Sequence, residues 1–295
     1  MPEPVEAEPD APAVAMLPEA GPNTQLDLDG RNAEFWNTLC GTHLARQLGI
    51  SDDSAQSLRT FDDWYFSFYP YLKNYIPFTE MRGRRVLEVG LGYGTVGQRI
   101  AENGADYIGL DIASGPVEMV NCRLRLCDLP GRAQQGNILR APFSDASFDF
   151  VVAIGCFHHT GDMQRALNES HRILRPAGVL VGMVYNAYSY RRWFNAAKQT
   201  TRYLAWDTVG WGMPPQAAAA ERAAYDTDTD GASAPFTEFV SRRRLRHMCR
   251  QYASFTAVLA NIDQERPFQR RPREALLQTR WPSLCGLDVY FRTRK

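Results

Sequence analysis

The chain has 295 residues, 44% hydrophobic and 22% charged, enough for one large α/β domain or two small ones. Its formal net charge is zero, which argues against a general nucleic-acid binder. No apolar run approaches the ~18 residues that a membrane span needs, and the N-terminus lacks the basic start and apolar core of a signal peptide.

The six cysteines are scattered. They read as reduced thiols of a cytoplasmic protein, with no zinc site expected. Residues 1–30 hold seven acids, six prolines and no Lys or Arg, so the rest of the chain carries an excess of seven positive charges. Such a stretch buries too little apolar surface to order itself, and a disordered acidic tail over 1–30 is expected. From Asn32 to Leu48 a helical period runs through Phe35, Trp36, Leu39, Cys40, His43 and Leu44, and Gly49 ends it. His43 lies on the apolar face and reads as a core histidine. A dense aromatic run from Phe61 to Phe78 follows. Residues 31–80 are expected to form a helical cap whose rings mostly pack on the body, with some faces open to a cation.

The chain is organised around Arg85-Val86-Leu87-Glu88-Val89-Gly90-Leu91-Gly92-Tyr93-Gly94-Thr95. A β-branched run ends in three alternate glycines, and a helical pattern follows at once. Strand, glycine turn and helix in that order make a cofactor-binding loop. Glycine lets backbone approach a ligand closely, and the helix start presents free N–H groups. Gly92–Gly97 also reads as the dinucleotide fingerprint G-x-G-x-x-G, a weak signal alone. Glu88 argues against a dinucleotide, because that strand position is normally apolar. A carboxylate there suits a cationic ligand.

This stretch resembles motif I of the class I S-adenosylmethionine methyltransferases. Strand and helix then alternate, the pattern of a parallel sheet. A strand over Asp106–Leu110 ends in Asp111, roughly 20 residues past the glycine loop, where a carboxylate suits a ribose diol. A helix is expected from Pro116 to about Asp128, and a strand near Ala133–Gly136. Gln135–Phe143 is similar to the segment after strand 3 in ubiquinone-biosynthesis-type methyltransferases. Their usual acidic residue there receives the adenine amino group; Asn137 takes that place, and its side-chain oxygen is also an acceptor. Ser147–His159 resembles the same family's strand 4 and double-histidine exit. Leu167–Gly178 resembles the helix and turn into strand 5, with Pro-Ala-Gly for the usual Pro-Gly-Gly.

The resemblance implies an α/β, Rossmann-like, seven-stranded and mostly parallel sheet with helices on both faces and the last strand antiparallel. Residues 81–295 would be the methyltransferase domain. Residues 185–235, rich in Tyr and Trp, would be a helical insertion after strand 5, with helices near 189–205 and 215–225. That insertion reads as an acceptor lid or as a packed subdomain. Asp226-Thr227-Asp228-Thr229-Asp230-Gly231 starts like a calcium loop, but the twelfth position is Thr237; a solvated linker is expected and no metal. Ser241 is placed as the cap of an arginine-rich helix. Phe255–Ile262 and Leu287–Thr293 read as the closing antiparallel hairpin.

The implied cofactor is S-adenosyl-L-methionine, held by Glu88, Gly90, Gly92, Gly94, Asp111, Ile112, Asn137, Ile138 and Ala153. His158 is the candidate base and His159 a structural neighbour, unless both histidines only hold the loop. The acceptor is expected to be a small or medium-sized molecule, ring-, sugar- or lipid-like, with oxygen favoured over nitrogen or carbon. A nucleic-acid methyltransferase is the alternative enzyme, although the Asn/Asp-Pro-Pro-Tyr signature is missing after strand 4. A non-catalytic cofactor-binding scaffold is the alternative outside enzymes.

Overall fold

The computed structural model describes residues 24–39, 42–228 and 230–295, without the side chains of residues 38–43. The expected tail up to residue 23 and the His43 side chain therefore lie outside the described residues. Seven strands form one sheet: β1 Arg85–Val89, β2 Asp106–Asp111, β3 Arg132–Gln135, β4 Phe148–Ile154, β5 Leu174–Tyr185, β6 Ser254–Ala260 and β7 Asp288–Arg294. Their order is β3-β2-β1-β4-β5-β7-β6. β1 to β5 pair in parallel, and β7 runs antiparallel to both β5 and β6. This is the Rossmann-like sheet that the sequence implies. Its path leaves β1 toward β2 and β3 on one side, then restarts on the other side at β4. Ligands bind outside the carboxyl ends of strands at such a switch.

Strand alternation explains why both faces are apolar. Leu87, Val89, Val151 and Leu180 belong to one buried cluster, while Val86, Val152 and Val181 belong to another. Helices cover both. The first cluster takes Leu167 and Ile173 from α7 (Met163–Ile173). The second takes Val96 and Ile100 from α5 (Thr95–Glu102) and Val120 and Leu124 from α6 (Ser114–Leu126). Each such fully buried aliphatic side chain contributes about 1.5–3 kcal/mol. Side-chain caps start several helices: Asp162 accepts from Arg165 N in α7, and Ser241 accepts from Arg244 N at the start of Arg242–Met248. Ala177, in place of the usual first Gly, sits at φ 63, a left-handed conformation that costs a residue with a Cβ roughly 1–2 kcal/mol.

Among the described residues the α-helices before the sheet are α1 Gln25–Leu39, α2 Thr42–Gln47, α3 Ala55–Phe68 and α4 Leu72–Tyr75. The helical period read over 32–48 falls on α1 and α2, with residues 40–41 between them outside the described residues. α1 also begins six residues inside the stretch expected to be a tail. Thr24 and Asp27 cap it reciprocally, the Thr24 hydroxyl donating to the Asp27 carboxylate (2.8 Å) and accepting from Asp27 N (3.3 Å). Leu28 is buried against the α-carbon of Gly161, where a Cβ would strike its side chain. Docking therefore orders residues 25–30, which composition alone assigned to disorder.

The cap is tied to the core by a buried ion pair that no sequence signal marks. Arg123 of α6 is fully buried, and its Nη1 donates to Asp62 of α3 (2.9 Å) and to Gln98 of α5 (2.8 Å). The other Asp62 oxygen accepts from the Thr95 hydroxyl (2.6 Å). The guanidinium lies 5.3 Å from the centroid of the Tyr93 ring, and a Cβ on Gly94 (φ 81) would collide with its stem.

After β5 the insertion holds α8 Tyr190–Asn195, α9 Ala197–Val209 and α10 Ala219–Ala223, close to the two helices expected. Arg192 of α8 is buried, pairing with Glu221 (2.5 Å) of α10 and donating to Ala187 O. The closing pair of strands is not a tight hairpin, because α12 Arg273–Leu277 and α13 Trp281–Cys285 fill the connection; α11 is the capped Arg242–Met248. No helix among the described residues is long and apolar enough to cross a membrane.

Candidate functional site

A cavity of about 200 Å3 opens at the carboxyl ends of β1 to β4. Gly90 and Gly92 line it after β1, Asp111 and Ile112 at β2, and Asn137 and Ile138 after β3. Gly155 and Cys156 line it beyond β4, followed by His159 and Thr160, while α1 contributes Asp29, Asn32 and Trp36. The glycines have different reasons to be there. Gly90 sits at φ 78, and a Cβ would overlap Cys156 across the switch point. Gly92 sits at φ 52 with open space where a Cβ would project, so a ligand can lie against its backbone.

Asp111 is held rigidly. Its Oδ2 accepts from Leu91 N (2.7 Å) and its Oδ1 from Ala113 N (2.9 Å). The first bond fastens the glycine loop to the end of β2. Each oxygen keeps a further lone pair for a ligand hydroxyl. Burial pushes its pKa up, against the pull of the backbone N–H groups of Ala113, Leu91 and Ile112. Asn137 is engaged in two ways: its Oδ1 accepts from Leu139 N (2.8 Å), and its Nδ2 donates to Asp29 of α1 (2.7 Å). Two more bonds dock α1, from Gln25 to Thr160 O and from Asn32 Nδ2 to His159 O, both 2.8 Å. Asn32 Oδ1 is buried with no partner among the described residues.

Three residues expected to hold the cofactor are not brought to this cavity. Ala153 is buried within β4, in the core beside Leu87 and Val151. Gly94 makes room for Arg123 instead. Glu88 is buried with its carboxylate turned away, accepting a 2.5 Å hydrogen bond from the Tyr107 hydroxyl. Gly97 of α5 packs on this pair, and a Cβ there would run into both. Alternation along β1 is the cause, since the neighbouring Val89 lines the cavity.

Burial pushes the Glu88 carboxyl up to about 8, with the Tyr107 hydrogen bond opposing, from an ordinary value of 4.5. Above that ordinary value an unfolded chain loses this proton while the folded chain keeps it. The stability tied to the proton is therefore fully present below about pH 4.5 and is lost as pH rises through about 8. Glu88→Gln is expected to flatten the fall in Tm across this window. Thermal melts of both proteins at about pH 5 and about pH 8.5 check it, and parallel curves would contradict it.

The two histidines are oriented opposite to expectation. His158 is fully buried, its ring tilted against that of Tyr185 at 4.1 Å, and neither ring nitrogen has a partner among the described residues. Burial, helped by neighbouring His159, holds it well below the usual imidazole range. His159 is the histidine that lines the cavity, its ring 4.7 Å from Trp36. Its Nδ1 lies 2.8 Å from Phe236 O. A carbonyl only accepts, so Nδ1 carries the hydrogen and Nε2 of the neutral ring carries the lone pair. The short turn Phe157–His159 is a tight 3-10 helix, and its backbone decides which ring faces out; residue order does not reveal that.

Asp226, which the sequence reading took as part of a solvated linker, also approaches His159. It opens the aspartate-rich run of the insertion, but the run does not converge on a point. Asp228 Oδ1 caps its own loop through Asp230 N and Ala232 N. Asp226 turns inward, accepting from the Tyr185 hydroxyl (3.1 Å) and placing Oδ2 3.6 Å from His159 Nε2. Among the described residues no three His, Cys, Asp or Glu side chains meet as a metal site. Asn32 and Trp36 had a partial signal, since they fall on the first helical period; Asp29 and Arg123 had none.

Comparison with known proteins bears on this geometry. Residues 87–182, which hold the glycine loop, Asp111 and the double histidine, match the family described as methyltransferase domain. These residues form a methyltransferase domain of the class I S-adenosylmethionine-dependent type. Within this methyltransferase domain and its margins the chain is 34% identical over 101 residues to 27-O-demethylrifamycin SV methyltransferase of Amycolatopsis mediterranei (strain S699), covering 33% of this chain and 37% of that one. It is 32% identical over 100 residues to demethylmenaquinone methyltransferase of Tropheryma whipplei (strain Twist), covering 34% and 41%. The chain thus spans about two-fifths of the length of these curated relatives. A solved S-adenosylmethionine-dependent methyltransferase from Mesorhizobium loti shares the fold, with a TM-score of 0.51 at 16% identity over 77% of this chain and 97% of that one.

Proposed function

We propose that this chain transfers a methyl group from S-adenosylmethionine to a small or medium-sized acceptor with a ring-, sugar- or lipid-like body, and that the acceptor atom is an oxygen. The observation that carries the reading is the cavity at the β1/β4 switch, with the fixed Asp111 carboxylate on one side and His159 on the other. Asp111 would take the ribose hydroxyls. Gly90 and Gly92 would let the rest of the cofactor lie against backbone, and Ile112 and Ile138 would flank the adenine. Asn137, already spent on Leu139 N and Asp29, offers at most one remaining lone pair to the adenine amino group. Bound there, the sulfonium supplies an activated methyl group. The chain's own work is alignment, which is worth about 7–11 kcal/mol of a barrier, and exclusion of water by α1. The aromatic insertion beyond β5 supports an apolar acceptor body, as do relatives named for rifamycin and menaquinone precursors.

Calorimetry with S-adenosylmethionine, S-adenosylhomocysteine and NAD tests the cofactor. Binding of the first two and not of NAD is expected, and NAD binding alone overturns the reading. Mass spectrometry of an acceptor library incubated with the chain and S-adenosylmethionine then reports the acceptor class.

A further inference from the structure

His159 Nε2 and Asp226 Oδ2 are both buried, both without a hydrogen-bond partner among the described residues, and 3.6 Å apart. That separation is too long for a hydrogen bond between them. Nδ1 is committed to Phe236 O, so Nε2 is an acceptor, and a carboxylate offers only acceptors. Two acceptor atoms thus face each other beside the cavity that His159 lines, with no donor among the described residues. One comes from the turn after β4 and the other from the insertion.

We propose that this pair is the proton-accepting centre, that its substrate is a hydroxyl group, and that Asp226 is a residue of the active site supplied by the insertion. The proposal rests on the methyl-transfer reading above. The acceptor hydroxyl donates to Nε2. As its oxygen bonds to the methyl carbon, the carbon–sulfur bond breaks, the electron pair stays on sulfur, and the hydroxyl proton moves to Nε2. The imidazolium formed then faces Asp226, which offsets its charge. Without that carboxylate the charged ring would be stranded in a buried setting. A carbon acceptor without a hydroxyl would offer no hydrogen bond to this pair, and a neutral amine would need no base to attack.

The groups around the pair support these roles. Burial holds His159 below the usual imidazole range, while Asp226 and the Phe236 carbonyl pull it back up. The ring is then neutral at working pH and still able to take a proton. Asp226 is pushed up by burial and held down by His159, the Tyr185 hydroxyl and Arg191 of α8. His158 on the same turn, Asp288 of β7 and Tyr69 at the C-cap of α3 are the other titratable groups that couple to the pair.

Two measurements test the proposal. The first needs no acceptor: nitrogen-detected NMR of the histidine rings in the full chain saturated with S-adenosylhomocysteine. His159 is expected as the Nδ1–H tautomer, and Asp226→Asn is expected to lower its pKa by about 1–3 units. An Nε2–H ring, or a titration indifferent to Asp226→Asn, overturns the proposal whether or not any acceptor has been found. The second uses a panel of phenols, alcohols and amines with S-adenosylmethionine, read by release of S-adenosylhomocysteine. Hydroxyl compounds are expected to be methylated. His159→Gln is expected to lose about 10²–10⁴-fold in turnover with unchanged cofactor affinity. Asp226→Asn is expected to lower turnover and move the acidic limb of kcat/KM to lower pH, a shift that a merely structural residue would not produce. Methylation of amines alone, or full turnover by both variants, overturns the assignment. Failure to bind either cofactor form in calorimetry defeats the methyl-transfer reading instead, and the tautomer result still stands on its own.

Discussion

Asp111→Ala is expected to weaken S-adenosylmethionine binding by about 10²–10⁴-fold, because two hydrogen bonds to a charged acceptor are lost at about 1.5–3 kcal/mol each. Asp111 also anchors Leu91 N and Ala113 N, so the loop would loosen together with the contact. Asp111→Asn separates the two effects. It keeps the size and one acceptor oxygen, and it should bind more weakly than the native chain but more tightly than the Ala variant. Calorimetry gives the affinities and a thermal melt shows whether the loop change reaches the fold. Near-native affinity in Asp111→Ala would remove Asp111 from the cofactor site. The pH dependence has a definite sign. Burial raises this carboxyl above its ordinary value, and protonation removes acceptor capacity, so affinity should fall as pH drops through the raised pKa.

Arg123→Met is expected to cost about 3–5 kcal/mol, the usual penalty for leaving one partner of a buried ion pair uncompensated. For a domain of this size that corresponds to a fall in Tm of about 6–20 °C. The stranded partner is Asp62, whose two oxygens otherwise bind Arg123 and Thr95. The double variant Arg123→Met with Asp62→Asn should recover part of the loss, since it removes the unpaired charge. Thermal and urea unfolding of the two single variants and the double variant measure the coupling. If Arg123→Met alone costs under about 1 kcal/mol, the pair behaves as a surface bridge and does not hold α3 to α5 and α6. The expected loss is a folding effect. In whatever fraction remains folded, affinity for the cofactor should change less than in Asp111→Ala.

The contrast between these two residues shows what was legible beforehand. Asp111 was found because local rules converge on it: a strand period, a turn, and a fixed distance from a glycine loop. Arg123 was not found because it lies on a helix whose outward residues are equally charged, Arg125 among them. Its partners Asp62, Thr95 and Gln98 sit 61, 28 and 25 residues away. Nothing within one turn of the helix indicates that one arginine is buried and its neighbour is not.

The same physics divides the rest of the chain. The sequence by itself determined the alternating strands, the glycine turn, the Ser241 cap and the sheet class, because backbone stereochemistry and side-chain periodicity act over a few residues. Only the tertiary structure decided that residues 25–30 are helix rather than tail, that Glu88 turns to Tyr107 and away from the cavity, and that His159 rather than His158 looks outward. It also decided that Asp226, in a run that reads as solvated linker, is drawn inward to Tyr185 and His159. Each of those outcomes depends on what arrives from another element. A helix segment too polar to order alone is ordered by docking, and the direction of a side chain in a tight turn is set by backbone that residue types do not specify. The charge state of a buried carboxylate is set by partners tens of residues away, which is why the fold could be read along the chain and the chemistry of its site could not.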